Sequence, residues 1–272
     1  MITSVQNPRV KNVVKLRERR QRERQGRMII EGYRELRRAL DNAVDIDEVF
    51  CCEELFQGVN EPRLLADAEE RGAEVVPVSP RVFRKLAYRD RPEGLLAVAP
   101  LPRRSLEDLD RLLADVDPFV VVVEGIEKPG NLGTILRSAD AAGASALLVC
   151  ERVTDVYNPN VVRASLGTLF TVPVVQLPSG EAHAWLEGHG WPSFAATPAA
   201  TTLFTEAPLR RPCAVVLGSE QYGLRDLWMK NATEQIRIPM AGQADSLNVA
   251  QAATLVMFEV ARQSAVGPPP GD

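Results

Sequence analysis

Three strings place polar or charged side chains and a glycine or proline directly behind an apolar run. An open α/β sheet presents ligand-binding groups in this way, at the carboxyl ends of its strands. In the first string, from Glu124 to Gly143 (EGIEKPGNLGTILRSADAAG), Pro129 and Gly130 mark a turn and Asn131 is placed to cap the next helix. Arg137 should project from that helix about two turns in. In the second, from Val215 to Leu224 (VVLGSEQYGL), Gly218 allows close approach to the backbone and Glu220 sets a carboxylate at the mouth of the sheet. In the third (IRIPMAGQADSLNVAQAA), a strand passes through Pro239 into a loop, and Ser246 and Asn248 open the last helix, where free backbone amides could hold polar ligand groups. Each string read singly also has a plain structural meaning: a helix cap, a surface ion pair or a strand-to-helix turn.

The elements that must hold these strings are legible in the hydropathy pattern. After Pro118 come FVVVVE, ALLVC, TVPVVQL, SFAAT, CAVVLG and QIRIP, near-continuous apolar strands alternating with helices, which predict a parallel sheet covered on both faces. The last helix, SLNVAQAATLVMFEVARQ, carries Leu247, Ala250, Thr254, Met257 and Phe258 at helical spacing, a face for the core or for a second subunit. Ahead of this region, the strand-like runs MII, EVFCC, EVVPV and GLLAVA alternate with the helical stretches GYRELRRALDNA, NEPRLLADAEERG and SPRVFRKLA, the last with Ser79 as N-cap and Pro80 at the first helical position. This predicts a small α/β sandwich. Two prolines in APLPRR break the pattern, and Ser105 caps a short helix behind them. The expected division is therefore a domain over residues 1–104, a second over 105–263, and a disordered tail over 264–272 (SAVGPPPGD).

A chain of 272 residues has room for two such domains, and it has no apolar run of about eighteen residues and no signal-like N-terminus, so a cytosolic protein outside the membrane is expected. Cys51, Cys52, Cys150 and Cys213 lack C-x-x-C spacing and stand away from His183 and His189 in the sequence, which predicts reduced core thiols, surface histidines and no metal site. The net charge of −4 is unevenly spread: Arg9 to Arg38 holds twelve Lys or Arg against four Glu, leaving the remainder acidic. Arg17, Arg19, Arg20, Arg22 and Arg24 in this stretch are candidates for contacts with phosphates, or else for a solvated helix laced with Glu–Arg pairs.

Taken together and in this order, KPGNLGTILRSADAAG, LGSEQYGL and SLNVAQAA closely resemble the three motifs of the SpoU (TrmH) branch of the SPOUT RNA methyltransferases, over about Phe119 to Gln263. DVYNPNVVRASLGTLFTVPV resembles the family's intervening helix and adds Arg163 and Ser165 as RNA-contact candidates. NPRVKNVVKL and MIIEGYRELRRAL resemble the substrate-binding domain often attached to this branch, with a fold like certain RNA-binding ribosomal proteins.

The resemblance implies a trefoil-knotted domain, which general topology rules would have excluded. It also implies a homodimer, and S-adenosylmethionine held by backbone groups at Ala196 and Thr197, at Leu217 and Gly218, and at Ile238, Met240 and Leu247. Asn131, Arg137, Glu220, Ser246 and Asn248 match its catalytic and substrate-positioning residues. The implied product is a 2′-O-methylribose. The attached domain favours large-subunit (23S) ribosomal RNA, with transfer RNA as the alternative. Because a sulfonium already activates the methyl group, alignment is the main task. A guanidinium stays protonated, so Arg137 would orient the nucleotide and stabilise charge on oxygen while a phosphate or water takes the proton. Two rival readings are a Rossmann dehydrogenase, for which GIEKPGNLG lacks the G-x-G-x-x-G spacing, and a catalytically silent RNA-binding protein, which the five intact positions oppose.

Overall fold

Asn7 accepts a hydrogen bond from the Arg9 amide at 2.8 Å and Pro8 takes the first helical position, so α1 (Pro8–Lys15) opens the chain. The computed structural model describes residues 1–151 and 153–264; of the expected disordered tail, residues 265–272 lie outside them. Helix α2 (Arg19–Gln25) ends on Gly26 at φ 63°, a left-handed C-cap. Then follow β1 (Arg27–Glu31), α3 (Tyr33–Asp41), β2 (Glu48–Cys51), α4 (Glu61–Glu70), β3 (Glu74–Pro77), α5 (Pro80–Leu86) and β4 (Leu95–Pro100). The Ser79 hydroxyl caps α5 as its sequence predicts. The strands form one sheet in the order β1-β4-β2-β3, with β4 antiparallel to both neighbours. Ile29, Phe50, Val76, Phe83 and Leu96 pack with Val10 and Val13 of α1 into its core. The expected α/β sandwich is present.

The second region starts with α6 (Leu106–Leu113), closed by a reciprocal Ser105–Asp108 capping box. It continues through β5 (Phe119–Glu124), α7 (Pro129–Ala141), β6 (Ala146–Cys150), α8 (Pro159–Ala164), β7 (Val174–Leu177), α9 (Ser179–Gly188), β8 (Ser193–Ala196), β9 (Thr202–Leu203), β10 (Cys213–Leu217), α10 (Asp226–Asn231), β11 (Glu234–Arg237) and α11 (Val249–Gln263). All strand pairings of the seven-stranded sheet, ordered β7-β6-β5-β10-β8-β11-β9, are parallel. Every residue of β5, β6 and β10 is buried, which requires cover on both faces. The polar string around His183 and His189 folds as α9 because Ala182 and Leu186, four residues apart, supply a buried stripe.

Two compact units result, Met1–Pro102 with Asp155–Thr171, and Arg103–Thr154 with Val172–Asp272. The first unit runs to Pro102 and takes in Asp155–Thr171, a segment that the sequence places in the second domain. Side-chain anchors explain this. Arg22 pairs with Asp155, Arg38 Nη1 donates to the Leu166 carbonyl at 2.5 Å, and Asn160 Nδ2 donates to the Tyr88 hydroxyl at 2.9 Å. All four cysteines are buried free thiols. Burial pushes Cys51 up to about 11 and Cys150 and Cys213 up to about 12. No helix among the described residues is long and apolar enough to cross a membrane.

Candidate active site

Strands β10, β8 and β11 are neighbours, and Leu217, Ala196 and Ile236 stand side by side in register where the chain leaves the sheet. The loops beyond these ends and the start of α11 enclose a cavity of about 620 Å³, within the usual range for a small-molecule site. Ala196, Thr197, Leu217, Gly218, Ile238, Met240 and Leu247 all line it, with Phe204 and Val256 as further apolar walls that the motif strings do not reveal. Ser219, Glu220, Asp245 and Ser246 supply polar groups. Gly218 has no alternative here, because a Cβ would lie 2.2 Å from the carbonyl carbon of Gly223 and 2.4 Å from the Leu224 nitrogen. No group of three or more His, Cys, Asp or Glu among the described residues could hold a metal ion.

Beside the cavity, three side chains, one from each motif, form one polar chain. Asn248 Nδ2 donates to Asn131 Oδ1 at 3.3 Å, and Asn131 Nδ2 donates to Glu220 Oε1. Asn248 is the N-cap of α11 as predicted, its Oδ1 accepting from the Ala250 amide at 3.0 Å. Asn131 is not a cap. Helix α7 starts two residues earlier, with Lys128 at the cap and no side-chain cap bond, so the Asn131 amide is free to bridge the other two motifs. Since β5 precedes α7 and β10 precedes Glu220, the Asn131–Glu220 bond spans the place where strand order reverses.

Arg137 is not drawn into this chain. Asn131 and Ser138, seven residues apart, share the face toward α11, where Ser138 Oγ and Thr254 Oγ1 are 2.7 Å apart; Arg137 lies about 100° around the helix from Ser138. It is exposed and makes no hydrogen bond or ion pair among the described residues, and Glu220 is held by Asn131. Ser246 at the cavity rim likewise makes no hydrogen bond among them.

Several RNA-contact candidates are corrected. Arg22 is 1% exposed, with its Nε 3.0 Å from Asp155 Oδ2 and its Nη1 2.7 Å from the carbonyls of Leu16 and Arg17. It cannot reach a phosphate. Arg17 donates to the carbonyls of Lys85, Leu86 and Ala87 at 2.9, 3.2 and 2.6 Å, closing the end of α5. Ser165 is fully buried, its hydroxyl bonded to the Val162 carbonyl at 2.9 Å as α8 ends. Arg19 pairs with Glu23 at 3.0 Å, as the solvated-helix reading had it, while Arg20, Arg24 and Arg163 are exposed.

The model of the SpoU rRNA methylase family matches residues 118–258, and that of the MRM3-like substrate binding domain matches residues 7–97. The chain belongs to the SpoU rRNA methylase family. A curated relative, the 23S rRNA (uridine(2479)-2′-O)-methyltransferase of Streptomyces viridochromogenes, is 32% identical over 261 residues, 92% of this chain and 87% of the relative. A crystal structure described as an RNA 2′-O ribose methyltransferase is 41% identical, with a TM-score of 0.82 and coverage of 96% of this chain and 98% of that one. The AdoMet-bound rRNA methyltransferase from Sinorhizobium meliloti is 28% identical, with a TM-score of 0.86 and coverage of 96% and 97%.

Proposed function

We infer that this chain is an S-adenosylmethionine-dependent methyltransferase acting on a ribose 2′-hydroxyl of large-subunit ribosomal RNA. The observation that carries the reading is the cavity at the ends of β8, β10 and β11, lined by all seven positions at which the family holds its cofactor. The match over most of both chains to a relative named for 23S rRNA 2′-O methylation supports the substrate class.

The cavity suits the methyl donor: Leu217, Ile238, Met240 and Leu247 offer apolar walls to a flat ring, while strand-end backbone groups and the polar rim meet its charged end. When bound, S-adenosylmethionine supplies a methyl group activated by its sulfonium charge. Asn248 and Glu220 hold Asn131 from both sides and so fix the three motif loops against one another. Ser246 adds a hydroxyl to the polar rim, in reach of a ligand held there. Arg137 brings an uncommitted guanidinium that stabilises negative charge growing on the ribose oxygen, its proton passing to a phosphate or water.

A homodimer belongs to the same proposal. Leu255 and Phe258 of α11 are 44% and 47% exposed and give a second copy an apolar stripe to cover. The trefoil knot and a cytosolic site of action complete the reading.

Mapping 2′-O-methylated nucleotides in ribosomal and transfer RNA from cells with and without the gene tests it. One ribosomal position should lose its resistance to alkaline cleavage in the deletion. A change confined to transfer RNA would refute the substrate, and label recovered only on nucleobases would refute the ribose assignment.

A further inference from the structure

The loop from Gly218 to Arg225 is fixed at both ends and carries an aromatic ring, Tyr222, that stacks on no other ring among the described residues. At its start, Gly218 lies against the backbone of Gly223 and Leu224, and Ser219 pairs with Gly223 in an antiparallel bridge, the Gly223 amide donating to the Ser219 carbonyl at 3.0 Å. Inside the turn, the Tyr222 amide donates to Ser219 Oγ at 3.1 Å. At its end, the Arg225 amide donates to Glu124 Oε2 at 2.8 Å and the Arg225 guanidinium pairs with Glu151 at 2.8 Å. Glu124 is itself buried at the end of β5 and accepts the Ser179 hydroxyl at 2.5 Å. The loop is therefore tied to the sheet edge through a buried carboxylate.

This mounting leaves Tyr222 77% exposed between Glu220 and Gly223, close to two residues that line the cavity. A tyrosine ring is a large apolar surface to hold in water. Its sequence neighbours Glu220, Gln221 and Gly223 are exposed and not apolar, so the turn offers one ring and not an apolar run. A single ring on a rigid mount, beside a cavity for the methyl donor, has the form of a stacking platform for an unpaired base.

We propose that Tyr222 stacks on an RNA base at the cavity mouth, that of the methylated nucleotide or its immediate neighbour, and thereby sets the KM for RNA. The inference rests on the RNA methyltransferase reading above. Tyr222 is a substrate-contact residue in it, and the Glu124–Arg225 contact is its positioning device.

The test is steady-state methylation of ribosomal RNA extracted from cells lacking the gene, with Tyr222→Ala, Tyr222→Leu, Tyr222→Phe and Tyr222→Trp compared with wild type. Loss of one stacked base should raise the KM for RNA about five- to a hundredfold in the alanine and leucine variants, with kcat and cofactor affinity held. Phenylalanine and tryptophan should stay near wild type, because each keeps a π-face. An unchanged KM in Tyr222→Ala overturns the proposal. So does a leucine variant that works as well as phenylalanine, a fall in cofactor affinity that matches the loss of RNA affinity, or an altered oligomeric state, which would assign the ring to a protein interface. A wild-type protein that fails to methylate this RNA overturns the proposed function itself, before any variant is compared.

Discussion

Replacing Arg22 with alanine should loosen the first unit rather than weaken its contact with RNA. The guanidinium is 1% exposed and serves three partners at once: the Asp155 carboxylate and the carbonyls of Leu16 and Arg17 at the end of α1. Its removal leaves Asp155, itself 9% exposed, as a buried carboxylate that has lost its cation but keeps the Tyr157 amide at 3.0 Å. Breaking a buried ion pair from one side costs about 3–5 kcal/mol, a large share of the roughly 5–15 kcal/mol that holds a domain together. Arg20→Ala and Arg24→Ala, both at exposed positions, should stay within about 0.5 kcal/mol. Trp185, Trp191 and Trp228 all lie in the second unit, so tryptophan fluorescence would miss the loss. Amide hydrogen exchange resolves it: amides of α1, α2 and residues 155–171 that exchange through opening of the first unit should do so about a hundredfold to several thousandfold faster. Removing Asp155 as well, in Arg22→Ala/Asp155→Ala, should recover part of the protection, because no unpaired charge is then buried. Exchange within about threefold of wild type, together with a salt slope of RNA binding reduced by about one, would restore Arg22 as a phosphate contact and refute the reasoning.

Three further outcomes follow from the same geometry. Gly218→Ala forces apart backbone that a Cβ would approach to 2.2 Å, so calorimetry should find S-adenosylmethionine affinity reduced about five- to a hundredfold with the fold retained; wild-type affinity would show that the loop yields at no cost. Arg137→Ala should slow single-turnover methylation by about a hundredfold with cofactor affinity intact, and a near-normal rate would remove this arginine from the reaction. Burial pushes Glu31 and Glu35 above the usual carboxylate range, outweighing Arg89 beside them. The folded chain thus binds these protons more tightly than the unfolded one. Stability of the first unit should fall as pH rises from the ordinary carboxylate value through the raised folded values, and Glu31→Gln should flatten that slope in urea unfolding followed by hydrogen exchange; an identical slope would count against the burial argument.

Much of this protein is local and was legible in its residues. Strand runs such as FVVVVE and CAVVLG, and the caps at Ser79, Ser105 and Asn248, depend on side-chain periodicity and on bonds spanning two or three residues, so they can be seen without the fold. The seven positions that line the cavity came from the resemblance of the whole string to a family, and each lies near a strand end or the opening of α11. Strand β9, two residues long, has too short a pattern to read. Partnership and solvation were decided only in three dimensions. Asn131 has the residue type of a cap, yet its partners are Glu220 and Asn248, 89 and 117 residues away. Arg22, Arg24 and Arg20 look alike in a basic stretch, but Arg22 meets Asp155 across 133 residues and leaves water while Arg20 and Arg24 remain in it. Charge and helical period are properties of neighbouring residues, whereas burial depends on what distant chain segments bring to the same point, and that is why tertiary structure alone separated the arginine that builds the first unit from those left in water.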